Sequence, residues 1–114
     1  MYKNLFAIIF IFLSTTAHAV TNVWHTSTIK YIYPLADGSF VVTFNTNSSS
    51  CSGGVSNKYH YVRTGNNSVN QEGVDKMYSL FLTAATSGRK VTISFDSSST
   101  QCWINRAYID FSGN

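Results

Sequence analysis

Residues 73–95 read GVDKMYSLFLTAATSGRKVTISF, and they divide at Gly88. Before it, Val74, Met77, Tyr78, Phe81, Leu82 and Ala85 recur at i, i+3, i+4, i+7, i+8 and i+11, one face of a 3.6-residue period. Asn70 or Ser68 stands where a polar side chain caps the first free amides of a helix. Gly88 stands where a left-handed residue ends one, and Arg89 and Lys90 follow near the negative helix end. After the glycine, Val91, Ile93 and Phe95 alternate with Thr92 and Ser94, the period of a half-buried strand. The stretch therefore predicts one amphipathic helix, a stop, and one strand.

Working outward, the segments before the helix read as strands. Asn22–Tyr33 is rich in β-branched and aromatic residues. Neither of its faces is cleanly apolar, so it is expected to be long and bent, changing its buried face partway. Pro34–Gly38 is a turn, and Ser39–Thr46 completes a hairpin. A polar loop, Asn47–Asn57, precedes a third strand over Lys58–Thr64. A second loop, Gly65–Glu72, leads into the helix. Beyond Phe95, the turn Ser97–Thr100 leads to a last strand, Gln101–Phe111. There Cys102 and Ile104 are out of phase with Ala107, Ile109 and Phe111, which predicts a bulge near Asn105-Arg106. The order β-β-β-α-β-β in a β-rich α+β chain is that of the OB-fold, a small five-stranded Greek-key barrel.

The N-terminus carries Lys3, then nine apolar residues, Leu5–Leu13, then Ala17-His18-Ala19. This is a secretory signal with its cleavage site, and the apolar run is far short of the roughly 20 residues that span a bilayer. Residues 1–19 are expected to be cleaved, leaving residues 20–114 as a single secreted or periplasmic domain with no membrane span. Without Lys3 the chain has seven Lys and Arg against five Asp and Glu, too even a balance and too dispersed for a nucleic-acid partner. Two cysteines in a small exported domain predict one disulfide, Cys51–Cys102, the alternatives being an intermolecular bridge or two free thiols. Their spacing matches no zinc pattern, so no metal is expected.

Little in the mature chain suits catalysis. His25 and His60 both lie within expected strands, and neither a G-x-S-x-G elbow, nor a phosphate loop, nor H-E-x-x-H is present. Glu72 and Asp75 read as favourable charge at a helix start rather than a glycosidase pair. A non-enzymatic protein without a cofactor is expected. The aromatic residues are more telling. Trp24, Tyr31, Tyr33, Tyr59, Tyr61, Trp103 and Tyr108 all fall on expected strands, more than so short a chain buries completely. An exposed Trp or Tyr offers a flat apolar face with a polar tip, suited to a sugar ring or a subunit interface.

The helix ending in Thr86-Ser87-Gly88-Arg89-Lys90-Val91-Thr92-Ile93, followed by a cysteine and an apolar strand, resembles the B subunits of AB5 toxins, with the subtilase-cytotoxin and pertussis-like B subunits nearest. It is also similar to small exported bacterial proteins with the same arrangement. The likeness covers roughly a third of the chain. It implies an OB-fold, carbohydrate binding, a homopentameric ring and a toxin A subunit as partner. In such a ring the polar helix face, Asp75, Lys76, Ser79, Thr83 and Thr86, lines the central pore. The OB-fold itself places ligands at the rim formed by the Pro34–Gly38 and Ser97–Gln101 turns. Trp103, Asn105 and Arg106 beside the second turn are the expected contacts, for stacking, hydrogen bonding and charge. The competing expectation is a periplasmic or secreted interaction or inhibitor domain that binds protein along a strand edge.

Overall fold

The computed structural model describes residue 11 and residues 19–53 and 56–112. All of the expected signal segment except residues 11 and 19 lies outside them, as do Gly54 and Val55 of the first loop and the last two residues. Among the described residues there are six strands and one helix: β1 (Asn22–Ser27), β2 (Ile29–Pro34), β3 (Phe40–Phe44), β4 (His60–Val62), α1 (Gln71–Ser87), β5 (Val91–Asp96) and β6 (Ile104–Tyr108). The strands form two antiparallel three-stranded sheets, ordered β1-β5-β6 and β2-β3-β4, with no closed barrel ladder.

The count exceeds the expected five because the long first strand breaks at Thr28, sending one half to each sheet. The break is fastened to the end of β3. The Asn45 amide donates to the Thr28 carbonyl at 2.9 Å, and the Thr46 amide donates to Ser27 Oγ at 3.0 Å. Ile29 pairs with Phe44 and Tyr31 with Thr43, so Lys30 is an extra residue in the ladder. That single insertion moves the inward set from Val23, His25, Ser27 and Ile29 to Ile32, which is the change of face expected from the sequence. β6 repeats the device. Phe95 pairs with Ile104 and Ser94 with Arg106, so the extra residue is Asn105, at the expected bulge.

α1 is capped as expected. Asn70 accepts from the Gly73 amide at 2.8 Å, and Gly88, at φ 66°, sends its own amide back to the last carbonyls. The buried stripe is Val74, Met77, Phe81 and Ala84, with Tyr78 and Leu80 packed at its margins. Leu82 and Ala85, expected inside, are exposed. Leu82 follows Phe81 by one position, about 100° around the helix, which takes it off a stripe centred nearer Phe81. Phe40 receives the helix, with ring centroids 5.7 Å from Phe81 and 5.2 Å from Tyr78.

β5 also departs from expectation, for all six of its residues are buried. Val91, Ile93 and Phe95 point into the core. Thr92, Ser94 and Asp96 point away from it, but β5 is the middle strand, so side chains of both neighbours close over them. Trp24 and Arg106 flank Ser94, Thr26 and Tyr108 flank Thr92, and the Trp24 and Tyr108 rings meet edge to face at 6.0 Å. The disulfide Cys51–Cys102 is formed and buried, tying the first loop to the start of β6. It fits an oxidising, extracytoplasmic compartment. Among the described residues no helix is long and apolar enough to cross a membrane.

Candidate functional site

The turn after β5 is built on Asp96. Its Oδ1 accepts from the Ser98 amide at 2.9 Å, the Ser98 hydroxyl at 2.6 Å and the Thr21 amide at 3.2 Å. Burial works to raise this carboxyl, but those hydrogen bonds outweigh it and hold Asp96 below the ordinary carboxylate value. Ser99 and Thr100 both donate to Gln101 Oε1. The Gln101 backbone amide donates to Ser99 Oγ at 3.2 Å.

Facing this turn is the loop from Gly65 to Val69, where Asn67 and Ser68 both take positive φ, 51° and 63°. Asn tolerates this conformation because its short amide bonds locally. The Asn67 amide donates to Asn22 Oδ1 at 2.7 Å and to the Trp103 carbonyl at 2.9 Å, and Asn105 Nδ2 donates to the Asn67 carbonyl at 2.8 Å. Between turn and loop lies an open groove of about 500 Å³, lined by Gly65, Asn66, Asn67, Asp96, Ser98, Ser99, Thr100, Gln101 and Trp103. Its walls are amides and hydroxyls with one carboxylate, Asp96, and one aromatic ring.

Trp103 is held from behind. The Arg63 guanidinium lies over its ring at 5.4 Å, and the Tyr61 ring is tilted against it at 5.6 Å. Arg63 also reaches Asp37 Oδ2 at 3.1 Å. The Ser39 hydroxyl and amide donate to Asp37 and, with Arg63 beside it, keep its carboxyl below the usual value. Arg63 thus joins the two turns expected to form the ligand rim. Sequence reasoning assigned it no role. The available signal was its alternation with Tyr59 and Tyr61, which puts all three on one strand face.

The other expected contacts fall in different places. Asn105 is the bulged residue, and its side chain bonds the Asn67 carbonyl and accepts from Arg106 Nε at 2.9 Å. It positions the loop rather than lining the groove. Arg106 pairs with Ser94, on the face that carries Trp24 and Tyr108. Asp75, Lys76, Ser79, Thr83 and Thr86 are all exposed along α1. Lys76 pairs with Glu72 at 2.7 Å, and the two threonines bond carbonyls one turn back.

Both histidines have structural partners. His25 Nε2 is 2.6 Å from the Thr46 carbonyl. His60 is fully buried between Phe44 and Phe95, with Nδ1 3.2 Å from the Cys102 carbonyl and Nε2 without a partner. Its ligand atom lies within 4.8 Å of the sulfurs of Cys51 and Cys102. Those sulfurs are bonded to each other and offer no thiolate, so the disulfide-bonded cluster lacks the anionic donors a soft metal needs. No protein-family model, no curated protein and no solved structure matches this chain.

Proposed function

We propose that this chain is an exported, non-enzymatic binding module that recognises glycans through the groove at Trp103. The carrying observation is one aromatic ring, braced by Arg63 and Tyr61, at the edge of a groove walled by amides, hydroxyls and the Asp96 carboxylate. The ring supplies an apolar face for a pyranose, and Asn66, Gln101 and the serines supply hydrogen bonds for its hydroxyls.

An OB-like barrel is the architecture that best accommodates the strand circuit. The chain runs without interruption from β1 into β2, which pairs with β3, then β4. The Tyr61 amide of β4 donates to the Gln101 carbonyl just before β6, β6 pairs with β5, and β5 returns to β1. With β1 and β2 counted as one bent strand, α1 falls between the third and fourth strands, and the Trp103 groove lies at the ligand face of that fold. Assembly as a ring of five with a toxin A subunit, in the manner of an AB5 B subunit, belongs to this reading. The exposed polar row of α1 supports it.

A protein-binding role is the second reading, favoured by the exposed Trp24 and Tyr108 on the outer strands of their sheet. A glycan array probed with the wild type and Trp103→Ala separates the two. Glycan hits lost in the variant support the groove. An array without hits, or hits equal in both proteins, removes it.

A further inference from the structure

We infer that the Trp103 groove is one end of a longer site that takes an extended acidic oligosaccharide across the outer face of the β2-β3-β4 sheet. This rests on the glycan reading of the groove. Phe40, Val42 and Phe44 of β3 point into the core, so Val41 and Thr43 point outward, yet they are only 1% and 0% exposed. Their cross-strand neighbours explain the burial: Tyr31 lies beside Thr43, and Tyr33 and Tyr61 flank Val41 on either side. The tyrosines that cover β3 remain accessible above it. Tyr31 is 53%, Tyr33 36% and Tyr59 37% exposed, and Tyr59 meets Tyr33 edge to face at 6.2 Å.

Tyr61 touches both this patch and Trp103, so groove and patch form one surface. Neighbouring strands are about 4.8 Å apart, which puts Tyr33 roughly 10 Å from Tyr61 across the sheet. One sugar ring stacks on one aromatic ring, so a surface of this width suits linked rings rather than a single terminal residue.

The rim of the patch is cationic. Lys30 stands 5.5 Å from the Tyr31 ring and donates to Asn57 Oδ1, and Lys58 donates to the Gly53 carbonyl. Both partners are neutral, and among the described residues neither ammonium has a carboxylate within salt-bridge distance. Two uncompensated charges beside exposed rings favour an anionic chain. The groove at its end, lined by amides, hydroxyls and the Asp96 carboxylate, and the absence of a basic stripe favour a polysaccharide over a nucleic acid.

The test is calorimetric titration of the mature, oxidised protein with galacturonate, hyaluronan and heparin oligosaccharides from two to eight units, beside neutral oligosaccharides and oligo-dT. At least one acidic series is expected to bind about tenfold tighter at eight units than at two. The paired substitution Lys30→Gln and Lys58→Gln, at one exposed and one half-buried position outside the core, is expected to abolish most of that gain. Added salt is expected to weaken wild-type binding by screening. Glycan-array hits that depend on Trp103, with no dependence on length or charge, overturn the extended site and leave the groove reading intact. Tighter binding of oligo-dT than of any acidic oligosaccharide overturns the ligand class. Loss of every saccharide signal, array included, overturns the glycan reading itself.

Discussion

His60 enters the core neutral, and its surroundings keep it so. Burial between two phenylalanines pushes its pKa down to about 4, against 6.5 for a free imidazole, despite the opposing hydrogen bond with the Cys102 carbonyl. In this range the unfolded chain takes up a proton that the folded one refuses. The resulting stability is complete above pH 6.5 and is lost as pH falls toward 4, a loss of up to about 3 kcal/mol at 1.36 kcal/mol per pKa unit. Urea unfolding at stepped pH is expected to show this slope, and His60→Leu to flatten it. A slope unchanged in the variant would assign the loss to other groups. Thr43 offers a second residue-scale test. Its Oγ1 is buried without a partner, so the isosteric Thr43→Val is expected to stabilise by about 1 kcal/mol in the same assay.

The two bulges decide which residues of their strands reach the core. Asn105 is the extra residue of β6, and the inward set changes there from Ile104 to Ala107. Deleting Asn105 would restore a regular ladder in which Ile104 and Ala107 still face the core and Arg106 still faces outward. Such a deletion is therefore expected to leave secreted protein in place, at a cost near that of the lost hydrogen bond to the Asn67 carbonyl. Asn105→Ala keeps the register and removes the hydrogen bond to the Asn67 carbonyl and the exposed one from Arg106 Nε, so it is expected to cost about 1 kcal/mol. Loss of secreted protein from the deletion but not from Asn105→Ala would show that the bulged backbone, not the side chain, holds the loop. At the end of α1, Gly88 has open space around its Cβ position but a φ of 66°. Gly88→Ala is therefore a test of backbone strain alone, with an expected cost of about 1 kcal/mol in thermal unfolding.

At the scale of the molecule, one covalent link and one arginine join parts that are distant in the chain. The disulfide spans a sequence separation of 51, worth about 4 kcal/mol in the chain-entropy model. Both sulfurs are buried, so a thiol reductant has to wait for the structure to open. Reduction by dithiothreitol is expected to be slow in native buffer and to accelerate steeply with sub-denaturing urea, as followed by mass spectrometry. Fast reduction independent of urea would mean that the loop around Cys51 opens by itself. Arg63 couples the turn at Asp37 to Trp103. Arg63→Met is expected to keep the fold, because its ion pair is nearly half exposed and such pairs contribute little, while weakening any ligand that needs Trp103 held in place.

Much of this architecture is one-dimensional information. The helix and both caps are written in local spacing and in residues with special backbone preferences. Both bulges appear as single-residue slips in a two-residue period, and the disulfide follows from there being only two cysteines. The exact buried stripe of α1 was less legible, since Leu82 and Ala84 are equally plausible until the sheet beneath fixes the helix's rotation. The division of the first strand between two sheets depends on hydrogen bonds from Asn45 and Thr46, which no local pattern announces. The burial of Thr92, Ser94 and Asp96 requires Trp24 and Tyr108 to arrive from strands on either side. The groove at Trp103 exists because two polar loops, separated by the helix and a strand, are brought face to face. Sequence alone determined the elements, because those rest on neighbours along the chain. The tertiary structure alone decided the surface, because that rests on neighbours across it.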